Sequence, residues 1–150
     1  MKKIKIIITI FILSIVLSPF LKAQGELGTI RVDVYGFENN NGKARLLLFN
    51  TKQKKYFPDN DKKAQVRLVQ NIANGRVTFF VKDISYGDYA ISVHHDEDNN
   101  GEVNTNWLGI PNEGLGASND AKGSFGPPDF DEAKFTLKSP QISLKINMVN

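Results

Sequence analysis

A chain of 150 residues with 41% apolar content and ten phenylalanines has the length for one domain and enough apolar mass for a core, which excludes intrinsic disorder. It contains no cysteine, so disulfide scaffolds, zinc fingers, iron–sulfur sites and thiol nucleophiles are excluded. The formal charge of +3 and a pI of about 9.1 invite a nucleic-acid reading, which depends on where the charges lie.

Three lysines (Lys2, Lys3, Lys5) precede Ile6–Leu17, an apolar run broken only by Thr9 and Ser14. Pro19 ends it and Ala23 follows. These are the parts of a secretory signal peptide, expected over residues 1–23, with one β-domain over 24–150. The run falls short of the roughly 20 residues of a membrane span, and none is expected in the mature chain. The product is then exported, to the periplasm or beyond. Four of the 19 basic residues (Lys2, Lys3, Lys5, Lys22) leave with the leader and no acid does, so 15 basic and 16 acidic residues remain. The mature chain is close to neutral, and nucleic acid is not an expected partner. Its charge is segregated. Residues 83–121 hold eight acids (Asp83, Asp88, Asp96, Glu97, Asp98, Glu102, Glu113, Asp120) and no Lys or Arg, whereas residues 24–82 are net basic.

From Ile30 onward the pattern has period two, which predicts strands. Ile30, Val32 and Val34 alternate with Arg31, Asp33 and Tyr35. Ala44–Phe49 is a mostly apolar run suited to a strand buried on both faces. Val66–Gln70 and Val77–Val81 flank Asn74-Gly75, a type I′ hairpin signal. Tyr89, Ile91 and Val93 alternate, Phe135 and Leu137 make a short segment, and Ile142, Leu144, Ile146 and Met148 alternate cleanly. The polar stretch Asn50–Lys63 has room for a helical turn. About seven short strands predict an all-β, antiparallel β-sandwich of immunoglobulin or transthyretin type, with a long Gly/Pro-rich acidic loop from Asp96 to about Glu132.

That loop holds the candidate site. With Asp96 as position 1, side-chain oxygens fall at positions 1, 3, 5 and 9 (Asp96, Asp98, Asn100, Asn104) and Gly101 at position 6. This is the opening of a calcium loop: a hard cation needs six to eight oxygens at about 2.3–2.6 Å, and alternate residues of a tight turn converge on one point. Glu102 would lend its carbonyl. Position 12, where a bidentate carboxylate belongs, is Trp107, so Glu113 is the candidate to close the shell. The competing reading is a plain Asx-rich turn. Ca²⁺ is the expected ligand.

The alternation puts His95 on the face of Tyr89, Ile91 and Val93, and His94 opposite. Adjacent strand residues point apart, so the pair does not grip one ion. His95 reads as a rim-of-core residue that orients a neighbouring loop group; it is also, with Trp107, Gly109 and Pro111, among the ligand-contact candidates, with a glycan or a protein as the partner. No nucleophile–base–orienter set can be named, and a hydrolase using His95 with a loop carboxylate ranks last. The lysines at positions 52, 54, 55, 62 and 63 read as a solvated basic loop.

Gly87–Val93, the run HHDEDNNGEVNTNWLGIPNEGLGASND and Gly126–Ala133 resemble, together and in this order, the bacterial family called domain of unknown function 2141. The resemblance covers nearly all of the mature chain. It implies a small exported bacterial β-domain and no reaction. The residues that carry it are His95, Asp96, Asn100, Gly101, Gly109, Pro111, Glu113, Gly114, Gly116, Ser118, Asn119, Pro127, Pro128 and Phe130, most of them in the acidic loop. The functional expectation is an exported, non-enzymatic module of the cell envelope. Its acidic loop binds calcium, with glycan or peptide binding through the Trp107 loop as the alternative.

Overall fold

Alternating apolar residues become strands with one face inward. In this computed structural model, which describes residues 26–123 and 126–150, β1 (Leu27–Tyr35) buries Ile30, Val32 and Val34 and leaves Arg31 exposed. The signal peptide expected over residues 1–23 lies outside the described residues. The first sheet has the order β4 (Arg76–Ser85), β1, β8 (Gln141–Asn147). The second runs β3 (Val66–Gln70), β2 (Lys43–Asn50), β5 (Gly87–Asp96). On the far edge of β5, β6 (Leu115–Ala117) and β7 (Phe135–Leu137) follow one another end to end. The fold is an all-β sandwich, antiparallel in every strand pair but one: β1 and β8 run parallel, Thr29 beside Gln141 through Tyr35 beside Asn147.

Two cores hold the layers. Between the sheets lie Ile30, Val32, Val34, Phe79, Leu46, Leu48, Ile91, Val93 and Ile146, all essentially inaccessible to water. On the outer face of the second sheet, Phe49 and Ala90 pack with Ala117, Phe130 and Ala133. Phe57 stands edge-on to Phe49 and to Phe130 with centroids 5.6 and 6.1 Å away, a favoured aromatic geometry. The second sheet is therefore covered on both sides. That is why β5 buries residues of both parities, where alternation alone predicts one wet face.

Two expectations are corrected. The Asn74-Gly75 turn forms, with φ of 54° and 66°, and closes an Ala73–Arg76 bridge. It does not join β3 and β4 into a hairpin: β3 pairs with β2 and β4 with β1, so the turn carries the chain from one sheet to the other. Second, the stretch from Asp96 to Glu132 is not one long structureless loop. It contains β6, a 3-10 turn at Ser118–Asp120 and a short helix, α1 (Phe130–Ala133), whose Asp129 and Glu132 form a capping box. Ser118 is fully buried. Its Oγ accepts the Ile91 N–H at 3.0 Å and donates to the Ala133 carbonyl at 2.5 Å. Asn119 donates to the Glu132 and Lys134 carbonyls. These two residues tie the chain after the acidic loop to β5 and α1.

Candidate metal centre

The site begins where β5 ends. Strand parity sends His95 into the core and turns His94 and Asp96 to the outer face of the second sheet, where Arg45 of β2 also projects. Asp96 is 1% exposed. Its Oδ2 accepts the Gly101 N–H at 3.0 Å and lies 3.4 Å from the Arg45 guanidinium. Its Oδ1 is buried and has no hydrogen-bond partner among the described residues. Gly101, at φ 82°, sits where a side chain would strain the turn and lets the backbone fold back onto Asp96.

Asp98, Asn100 and Asn104 close on one another in the turn. Asp98 Oδ1 accepts the Asn100 N–H at 3.0 Å. Asp98 Oδ2 accepts from the side-chain amides of Asn100 and Asn104, both at 2.9 Å. The Asn104 amide, followed by the Asn100 backbone N–H, holds the Asp98 carboxyl below its ordinary value. Asn100 Oδ1 accepts the Glu102 N–H, and the Glu102 side chain is exposed.

Glu113 returns to this loop from beyond the Trp107 tip. It is 7% exposed. Its Oε1 accepts the Glu97 N–H at 3.0 Å, and its Oε2 accepts the Asn104 N–H at 2.9 Å and lies 2.8 Å from His94 Nε2. Burial pushes its pKa up, but the Asn104 N–H, His94 and the Glu97 N–H together outweigh burial and hold it below 4.5. One carboxylate oxygen from each of Asp96, Asp98 and Glu113 lies within 4.8 Å of the others, a separation that one ion can bridge.

The ligand-contact candidates divide. His95 is fully buried, with Nε2–H donating to the Asn41 carbonyl at 2.9 Å and its ring edge-on to Phe37 at 5.2 Å. It is a core residue that pins the β1–β2 loop, and it is not part of the exposed surface that Trp107, Gly109 and Pro111 present. Trp107 is 90% exposed and so does not staple the loop to the sandwich. It caps a small hairpin in which Thr105 bridges Pro111 and Asn106 accepts the Gly109 N–H at its carbonyl. Gly109, at φ 78°, and Pro111 are both exposed there.

Arg45 and Asp61 escaped the sequence reading. Arg45 Nη2 is 3.1 Å from Asp61, and Asp61 also meets Arg67. Arg45 lies 51 positions from Asp96, and only the register of β2 on β5 joins them. The opposite charge of the two halves of the chain was the available signal, and it does not say which cation meets which acid.

Residues 32–145 match the profile of a family described as "Uncharacterized protein conserved in bacteria (DUF2141)". The chain belongs to this family. No curated protein matches it, and neither does any solved structure. The family's stretch spans the whole acidic loop and both sheets, beginning within β1 and ending within β8. No helix among the described residues is long and apolar enough to cross a membrane.

Proposed function

We propose that the protein is an exported, non-catalytic module of the bacterial envelope whose Asp96–Asn104 loop binds calcium. Asp96, Asp98 and Glu113 act as carboxylate ligands, the Asn100 and Asn104 amides and the Glu102 carbonyl as neutral ones. The observation that carries this reading is the Asp96 Oδ1 atom, a carboxylate oxygen buried without a partner among the described residues, in a group of three converging acids. An unsatisfied buried oxygen costs about 1–3 kcal/mol, more when charged, and a divalent ion removes that cost. Arg45 does not: it reaches the other oxygen, and at 3.4 Å that contact is longer than the about 2.7–2.9 Å of a strong charge-assisted bond. The Asn100 and Asn104 amide groups now donate to Asp98, so ion binding requires them to turn their oxygens inward.

Calorimetric titration and thermal melting test this reading. A site of the extracellular class, with Kd of about 10⁻⁴–10⁻³ M, raises the melting temperature at millimolar calcium, and EDTA reverses the rise. Asp96→Asn weakens calcium at least tenfold while the ion-free protein keeps the wild-type circular dichroism spectrum. The absence of both binding heat and a melting shift at millimolar calcium would overturn the reading.

A further inference from the structure

We propose that Arg45 is a built-in counter-cation of the acid cluster, which keeps the site folded while it is empty and holds its calcium affinity low. The inference rests on the calcium reading of the loop and adds to it the residue that sets how tightly the ion is held.

Strand register delivers Arg45 to the site. It lies opposite His94 on β5, so Asp96 is its diagonal neighbour on the same face of the sheet, a separation that a long side chain spans. Its guanidinium packs against the calcium turn: a Cβ on Gly101 would stand 3.5 Å from Nη2 and 3.6 Å from Nη1. Nη1 is 3.4 Å from Asp96 Oδ2, and among the described residues no other Lys or Arg is ion-paired with Asp96, Asp98 or Glu113. Three carboxylates drawn together repel one another, and this one positive charge offsets part of that repulsion at the most buried of them.

The same charge opposes calcium. An ion among Asp96, Asp98 and Glu113 is repelled by a guanidinium that already meets one of its ligands. Binding exchanges one cation for another at Asp96, and the gain is smaller than the bare cluster would give.

Asp61 makes the exchange feasible. Its Oδ2 is 3.1 Å from Arg45 Nη2, closer than Asp96 is to Nη1. Asp61 is itself held by Arg67, whose Nη1 donates to the Asp61 carbonyl at 2.7 Å. The Arg45 side chain is only 24% exposed, and a charge so enclosed is costly to leave without a partner. When calcium takes Asp96, Arg45 keeps Asp61.

Calorimetric titration with calcium chloride and melting in EDTA or calcium, on the full chain and its Arg45 variants, test the inference. Arg45→Gln is expected to bind calcium about tenfold more tightly, to melt lower in EDTA and to gain a larger calcium-induced rise. Arg45→Lys keeps the charge and stays closer to the wild type than to Arg45→Gln. Asp61→Asn, which leaves Arg45 with Asp96 alone, weakens calcium, and that loss shrinks in the Arg45→Gln background. Equal or weaker calcium affinity in Arg45→Gln, with melting lowered alike in EDTA and calcium, marks a merely structural residue and overturns the inference while the calcium reading stands. An Arg45→Gln protein that folds only in calcium supports it; one that folds in neither condition overturns it, because the ion then does not replace the guanidinium. No response to calcium from either the wild type or Arg45→Gln overturns the calcium reading itself.

Discussion

Glu113 sits in a wall of donors: two backbone N–H groups and the His94 ring converge on its carboxylate, which is why its pKa falls despite burial. The linkage has a definite sign. A folded-state pKa held below 4.5 adds stability that is present above that pH and is lost as pH falls through the folded value. Acid unfolding of the wild type, followed by circular dichroism in denaturant, is therefore expected to steepen below about pH 4.5, and Glu113→Gln to flatten that limb while lowering stability at neutral pH. Equal slopes for the two proteins would remove this role. At this scale the site was partly legible. Asp96, Asp98, Asn100, Gly101 and Asn104 lie within one turn, where local spacing decides what converges. For His95, strand parity gave the direction of the side chain and not the depth of what covers it.

At the scale of elements, the β1–β2 loop is fitted to the end of β5. Gly42 has φ 63°, and a Cβ there would stand 2.0 Å from the Asp96 carbonyl oxygen. Gly75 has nearly the same backbone, φ 66°, but its Cβ would meet only the Phe37 carbonyl, at 3.4 Å. Gly75→Ala thus measures the left-handed cost alone, about 1–2 kcal/mol. Gly42→Ala adds a backbone collision and should lose clearly more in urea unfolding, together with calcium affinity, because it displaces Asp96. Equal losses would mean that this approach is not rigid. Strand existence was legible here, since period two is a local property. The partner of each strand was not: Asn74-Gly75 encodes a turn, and where its flanking strands go depends on which sheet has an open edge for β3 and β4.

For the whole molecule, the basic character of the chain is in part that of the expected leader. Exported protein cleaved after Ala23 would retain 15 basic and 16 acidic residues, so it should focus on the acid side of neutrality and begin at Gln24 by mass spectrometry. Focusing near the pI of 9.1 of the full chain would contradict cleavage there. The remaining charge is partly neutralised within the fold, by Arg45 on Asp96 and Asp61 and by Lys54 on Asp131.

By itself the sequence determined the β class, most strand positions and the calcium-type spacing of the turn, because each is written within a few consecutive residues. Only the tertiary structure decided the parallel β1–β8 pair, the second core over Phe49 and the Arg45–Asp96 contact. It also decided the return of Glu113 and the exposure of Trp107. Each of these depends on groups far apart in the chain, whose distances are set by sheet register and layer packing rather than by spacing. The opening question of charge is accordingly narrower. Arg45 meets one oxygen of Asp96, and the other is the place where a cation has most to gain.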